Sequence, residues 1–422
     1  MIFAQARELI TPNIRTHMSG YANRTDMFEG IHDDFYVKTL YMENKGTKFL
    51  IITYDLCHYI YDLNERVMTY AAEKFEMPYE SILVNYSHTH AGPKITSPTE
   101  KETPSPLDGF LVERTKSCID RAKLNSFKGS LQIAYTSGRW NVNRRLETEN
   151  GFKMKPNHNA VTDDEVVIMT VRDSDNNIRT VMVNYSCHPV TLSGTLYLSA
   201  EFPGRISNLL ESEYYGSIAF FLQGAAGNMR PLVTADKGSF KACSFDELDI
   251  FAKSVAAKVV KTIHSGIFGT IDPEFKCTKF NIDIPVNPLP ISVFEERLKT
   301  APGYLKLRLE KVIKSFESID DFATIHCGIV KLTDDLYIPY MGGEIVYEVK
   351  ELVRRVFAPA DVVFLGYHEA LTYIPDDKII NEGGYEGYDA PTNAGFRGPF
   401  KKGINDVITN AFKNAYGILA EG

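Results

Sequence analysis

Strand-like and helix-like segments alternate along most of this 422-residue chain, and that alternation constrains its fold more than any other feature. Residues 47–55 (TKFLIITYD) read as a buried strand, 62–76 as the helix that follows, and 81–86 as the next strand, with Met77-Pro78 as the stop between them. A helix is predicted over 107–125. Residues 165–172 and 178–186 alternate apolar and polar around Asp173–Asn177, the pattern of a β-hairpin. Further on, 217–222 reads as a strand and 245–263 as a long amphipathic helix. The charged stretch 291–318 is helical, with a break at Pro302-Gly303. Two strands, 324–332 and 335–340, precede a helix from Glu344 to Phe357, whose Ile345, Val349, Leu352, Val353 and Val356 share one face. A strand over 361–367, an irregular Gly- and Tyr-rich segment over 380–403 and a last helix over 403–419 complete the reading. The class is α/β.

Composition sets outer bounds. The chain is 44% hydrophobic, ample for a sizeable core. Its net charge is −8 with dispersed acidic residues, so it lacks the basic face that nucleic acid phosphates require. The six cysteines include no C-x-x-C pair, which excludes a zinc ribbon or a thioredoxin-type motif. Reduced, half-buried thiols are expected. No apolar run approaches the ~20 residues of a membrane span. The start MIFAQARELITP has no basic region followed by a long apolar run, so the expected location is cytoplasmic.

The sharpest local signal is Ser87-His88-Thr89-His90-Ala91-Gly92-Pro93. In extended backbone, residues two apart point to one side, so His88 and His90 are expected to enter one pocket. One imidazole then holds a metal while the other handles protons. Two hydrogen-bonded surface histidines would give the same spacing. A third histidine favours the metal. Asn85-Tyr86-Ser87-His88 recurs as Asn184-Tyr185-Ser186-Cys187-His188, which places both His88 and His188 just past a strand end, where ligand sites of open α/β sheets collect. A carboxylate often completes a histidine pair around zinc. The candidate is Glu344 in Met341-Gly342-Gly343-Glu344, at the predicted helix start. No H-E-x-x-H, G-x-S-x-G or phosphate-binding glycine loop is present.

Taken together, these segments resemble the catalytic domain of neutral (non-lysosomal) ceramidases. The resemblance rests on Met18–Ala22, on His88–Pro93, and on Asn143-Arg144 within 140–145. It also rests on Cys187-His188-Pro189 followed by Ser199–Gly204, and on Gly343-Glu344 with Tyr373 and Tyr385 downstream. It spans essentially the whole chain. It implies one large α/β catalytic domain over 1–422, with mixed β-sheets and flanking helices and without the family's C-terminal immunoglobulin-like domain. It also implies one zinc per chain held by His88, His188, Glu344 and Tyr373. His90 matches the proton-handling histidine, and Arg144 and Tyr385 match groups that contact the reacting carbonyl. Two departures stand out. Ala91 replaces the family's serine in the histidine motif, and the loop Gly227–Pro231 carries Arg230 where the family has serine.

The resulting expectation is a zinc-dependent amidohydrolase acting on a small-molecule N-acyl compound. Arg230, with Asn228 beside it, is the expected substrate contact. One alternative keeps the zinc site for a non-lipid, anionic amide or ester, which the planar fork of Arg230 would suit. Another is a non-catalytic ligand-binding relative. Oligomeric state is left open.

Overall fold

The computed structural model describes residues 1–21, 24–58, 62–95, 105–369 and 371–421. Ala22, from one of the resemblance segments, lies outside the described residues. β-Branched and aromatic runs form a main sheet of nine strands: β1 (Ile2–Leu9), β2 (Tyr36–Asn44), β3 (Thr47–Tyr54), β4 (Ile82–Tyr86), β5 (Ser126–Ser137), β6 (Glu165–Asp173), β7 (Ile178–Tyr185), β8 (Ile218–Gln223) and β9 (Gly269–Ile271). Their order is β8-β7-β6-β5-β1-β2-β3-β4, with β9 on β5. The pairs β3–β4 and β7–β8 are parallel and the others antiparallel, so the sheet is mixed.

The sheet is buried on both sides, and the alternation along its strands assigns each face a partner. On one face Leu50, Ile52, Val84 and Tyr86 pack against Val67, Met68, Leu111 and Val112 of helices Leu63–Phe75 and Asp108–Leu124. Farther along the sheet, Val181, Val183 and Phe221 pack on helices Glu201–Glu213 and Phe245–His264. On the other face Leu40, Met42, Phe49 and Ile51 meet Val330, Leu332 and Ile338 of a second sheet. That sheet joins Lys276–Pro285, Phe322–Thr333, Leu336–Met341 and Asp361–Val362. Its far side, including Ile325 and Ile329, packs on helices Tyr347–Phe357 and Ile404–Glu421. The layers therefore run helix, sheet, sheet, helix. Each fully buried Leu, Ile, Val or Phe stabilises this stack by ~1.5–3 kcal/mol.

The ends of the strand path are drawn together. Asn85 on β4 accepts from the backbone N of Gln223 on β8 at 2.8 Å, and its amide reaches the Gly366 carbonyl at 2.8 Å. Asn184 on β7 donates to the Leu222 carbonyl at 3.0 Å. The repeated asparagine of the two N-Y-S segments thus ties strands and the 364–367 segment into one strand-end cluster, which carries His88 and His188.

Most predicted elements are present within one or two residues. The exceptions have physical causes. The helix after Glu344 starts only at Tyr347, because Glu344-Ile345 are held in a two-residue parallel ladder with Tyr373-Ile374. The strand predicted over 361–367 pairs only at Asp361–Val362 and again at Leu365, because the next residues bond to Gln223 and Tyr86 instead. The irregular 380–403 segment contains the end of helix Asp377–Glu382, a π-helical turn at Tyr385–Asp389 and a short helix at Ala390–Ala394. Strands β1, β2 and β5 and helix Glu201–Glu213 fall in stretches the sequence reading left unassigned. All six cysteines are free, five buried and Cys277 half-buried. No described helix is long and apolar enough to cross a membrane.

Candidate metal centre and active site

His88 follows β4 and His188 follows β7. Both side chains are buried. His88 does not reach the pocket through extended backbone as predicted. Its φ is +67°, in the left-handed region that a histidine adopts at a cost. The backbone N of His88 donates to the Leu56 carbonyl at 2.9 Å, and that of His90 to Pro189 at 3.1 Å. These anchors hold the turn, and the two imidazoles still converge. Glu201 (φ +57°) and Tyr367 (φ +53°), both fully buried near the same strand ends, carry the same strain. Such clustering is a mark of functional sites.

Four donor atoms meet. His88 Nε2 lies 3.2 Å from Glu344 Oε2, and His188 Nε2 lies 3.5 Å from the same oxygen. His90 Nε2 is 3.2 Å from His88 Nε2 and 3.0 Å from His188 Nε2. His88, His188 and Glu344 are within metal-ligating distance of one another. The outward nitrogens of two of these rings are already used. His88 Nδ1 donates to the Cys57 carbonyl, and His188 Nδ1 to the Ala226 carbonyl at 3.3 Å. That tautomer leaves each Nε2 as a lone pair facing a carboxylate. Glu344 Oε2 is buried with no hydrogen-bond partner among the described residues. Lone pairs this close repel unless a proton or a cation sits among them, so the donor set suits a metal ion.

The electrostatics agree. Burial alone would lower the His88 imidazole, but Cys57 and Glu344 outweigh it and raise the group to about 10. Burial, reinforced by His88, holds both His90 and His188 well below the ordinary histidine range. Cys57 and His90 also group with His88 as possible ligands. Cys57 Sγ, however, lies 3.9 Å from Nδ1 of His88, the nitrogen already bound to the Cys57 carbonyl, rather than on the Nε2 side that faces Glu344. His90 differs from the other two histidines in one respect: its Nδ1 is buried without a partner among the described residues.

The remaining predicted residues surround this cluster. Tyr373 pairs with Glu344 in the two-residue ladder, so the two side chains emerge side by side. Its ring lies 6.2 Å from that of His188 and 5.3 Å from that of Tyr385. Gly343, at φ +103°, lets the ladder form: a Cβ there would sit 2.7 Å from Ile374. The guanidinium of Arg144 lies 4.9 Å from the Tyr373 ring centre. Glu386 accepts from Arg144 Nε at 2.7 Å and from Arg145 Nη1 at 2.7 Å, which fixes Arg144 from behind. Arg144 Nη2 is left without a partner among the described residues. Tyr385 is partly exposed, and burial of its hydroxyl raises it to about 12. Arg230 lies in the short strand Met229–Pro231, paired with Asn141–Asn143. Asn228 faces inward instead. Its side chain donates to Glu348 at 2.7 Å and accepts from the Tyr347 backbone at 2.9 Å, so both ends are committed.

The roles of several neighbours were not legible beforehand. Arg24 Nη2 donates to the carbonyls of Ser19 and His90. The Tyr367 hydroxyl lies 3.4 Å from His188 Nδ1, and its ring 4.7 Å from that of His88. Nothing in the sequence around Tyr367 marks it, since its role comes from a long-range backbone path. Gly20, at φ +96°, backs His90 so closely that a Cβ would fall 2.6 Å from His90 Cγ.

Comparison with known proteins bears on the fold and the family. A sequence-family model described as neutral/alkaline non-lysosomal ceramidase, N-terminal, matches residues 6–255. No curated protein sequence matches the chain. Among solved structures, the neutral ceramidase from Pseudomonas aeruginosa is similar over 100% of this chain and 74% of its own, at 15% identity and a TM-score of 0.77. A structure described as ceramidase complexed with C2 is similar over 100% of this chain and 75% of its own, at 16% identity and a TM-score of 0.78. The structural likeness carries the fold, and the family model, which spans more than half of the sequence and contains both His88 and His188, carries the kinship: the chain belongs to the neutral/alkaline non-lysosomal ceramidase family.

Proposed function

We propose that this protein is a zinc-dependent hydrolase that cleaves the amide bond of an N-acyl compound, and that residues 1–422 act as one catalytic unit. The observation that carries the reading is the convergence of His88, His188 and Glu344, from three distant parts of the chain, on one point with an unpartnered carboxylate oxygen. Tyr373, beside Glu344, is the proposed fourth ligand. Zinc held there supplies Lewis acidity toward the amide carbonyl and lowers the pKa of a water toward ~7.

The chain's own residues do the rest. His90 is buried and neutral, and, unlike the ligand histidines, has no carbonyl fixing its Nδ1. It takes the proton of the attacking water and delivers it to the departing amine. Arg144, braced by Glu386, and Tyr385 donate to the carbonyl oxygen as negative charge develops; one such donor is typically worth ~3–4 kcal/mol. Asn228 serves to hold Glu348 and the Tyr347 backbone rather than the substrate.

The test is turnover of a panel of N-acyl compounds by the zinc-loaded protein, with Glu344→Gln as the control. Amide cleavage that disappears in the control is expected. Full zinc occupancy with no cleavage of any amide would overturn the reading in favour of a binding protein.

A further inference from the structure

The loop that departs from the family pattern builds a second feature beside the metal donors. Arg230 lies on a strand with two anchors. The Met229 carbonyl accepts from the His188 backbone at 3.2 Å, and the Asn228 carbonyl from the Arg144 backbone at 2.9 Å. Arg230 is therefore fixed relative to both a metal donor and an oxyanion donor. Its guanidinium stacks on Phe240, 4.4 Å from the ring centre, and Nη1 lies 3.9 Å from the Met154 sulfur. Neither contact satisfies a charged donor. Its Nε is buried without a partner, and no carboxylate pairs with it among the described residues.

Two further donors beside it are in the same condition. The Tyr21 hydroxyl is buried and without a partner among the described residues, and its ring lies 4.9 Å from that of His90. Arg144 is only 3% exposed, and its Nη2 is equally unpartnered. Buried charged donors without acceptors are costly, and a native site keeps them when a ligand supplies the acceptor. The acidic groups nearby are committed elsewhere. Glu386 is held by Arg144 and Arg145. Glu201 accepts from Thr191 and Leu192, and burial pushes its carboxyl up to about 7. Glu344 faces the metal donors. A chain of net charge −8 thus carries a local surplus of guanidinium groups around His90, from Arg24, Arg144 and Arg230.

We infer that the substrate bears an anionic oxygen group close to its scissile amide, a carboxylate, sulfonate or phosphate, and that Arg230, with Tyr21, binds it. The inference rests on the amide-hydrolase reading and narrows its substrate class to acidic N-acyl compounds. The planar fork of Arg230 suits such a group better than a point charge would.

The experiment compares substrates of one acyl chain length: N-acylglycine, N-acyltaurine and N-acylphosphoethanolamine against neutral N-acylethanolamine. Zinc-loaded wild type, Arg230→Gln and Arg230→Lys are assayed, with melting temperatures recorded for each. Binding of the N-acylglycine keto analogue, in which CH2 replaces the amide NH, is measured by calorimetry. Wild type is expected to prefer one anionic class over the neutral amide, and the preferred class identifies the group. Arg230→Gln is expected to reduce that preference by ~10–100-fold, mainly through KM, with weaker binding of the keto analogue. Arg230→Lys should restore part of it. Cleavage without any anionic preference, or equal effects of Arg230→Gln on anionic and neutral substrates, would overturn the subsite and leave the hydrolase standing. Arg230-dependent binding of the keto analogue without cleavage of any amide would overturn the hydrolase reading and leave the subsite standing.

Discussion

Nε2 of His88 and Oε2 of Glu344 lie 3.2 Å apart in the protein interior, with the opposite nitrogen of His88 bound to the Cys57 carbonyl. A neutral imidazole in that tautomer presents a lone pair to a carboxylate, so the contact calls for a proton or a metal. Glu344, which with Cys57 raises His88 as a base, also belongs to the donor group proposed for the metal, and metal binding would then compete with the proton.

The first prediction is therefore one zinc per chain. His88→Ala, His188→Ala and Glu344→Gln should each lose most of it. Zinc at ~100 times its Kd should also stabilise the wild type by ~2.7 kcal/mol, seen as a rise in Tm. Elemental analysis with full zinc in all three variants would remove these ligands from consideration.

His90 separates ligand from proton carrier. Its Nε2 sits within 3.2 Å of Nε2 of His88 and His188, the proposed ligands, yet its Nδ1 lacks the carbonyl partner that both of them have. His90→Ala should retain zinc near one per chain and lower kcat by ~10²–10⁴-fold. Loss of zinc in this variant would make His90 a ligand. Unchanged zinc and kcat together would make it a bystander.

Gly20 tests whether His90 must be held where it is. A methyl at this position meets His90 at 2.6 Å in a backbone conformation that disfavours side chains. Gly20→Ala should cost ~1–3 kcal/mol of stability through strain, and lower kcat with zinc retained. Wild-type kcat and Tm would show that the contact relaxes freely.

Glu386 gives a pH prediction. Burial alone would raise its carboxyl, but Arg144 and Arg145 outweigh it and hold the group below the usual carboxylate range. The stabilisation is thus fully present above an unfolded pKa of ~4.3 and is lost as pH falls through the lower folded value. Glu386→Gln should be less stable than wild type at pH 7, and the gap in Tm should narrow below pH ~4. A gap that stays constant from pH 7 to pH 3 would show that the charge of Glu386 contributes nothing to the difference.

The sequence by itself determined the α/β class and most element positions, and it singled out the candidate residues His88, His90 and His188 that the structure brings together. Those features are local: hydrophobic period, turn residues, and two N-Y-S segments leading to His88 and His188. Three things were decided only in the tertiary structure. Glu344 was expected to open a helix, and it instead pairs with Tyr373 in a ladder that no local pattern encodes. His88 enters the pocket through a left-handed turn, because contacts with Leu56 and Cys57 outweigh its backbone preference. Asn228 and Arg230 sit two residues apart, yet Asn228, just before the strand Met229–Pro231, is held by Glu348, while Arg230 within that strand stacks on Phe240. Residues such as Tyr367 and Gly20 gain their roles from segments far away in the chain. Side-chain pattern records which face is buried; only the packed backbone fixes which distant groups share it.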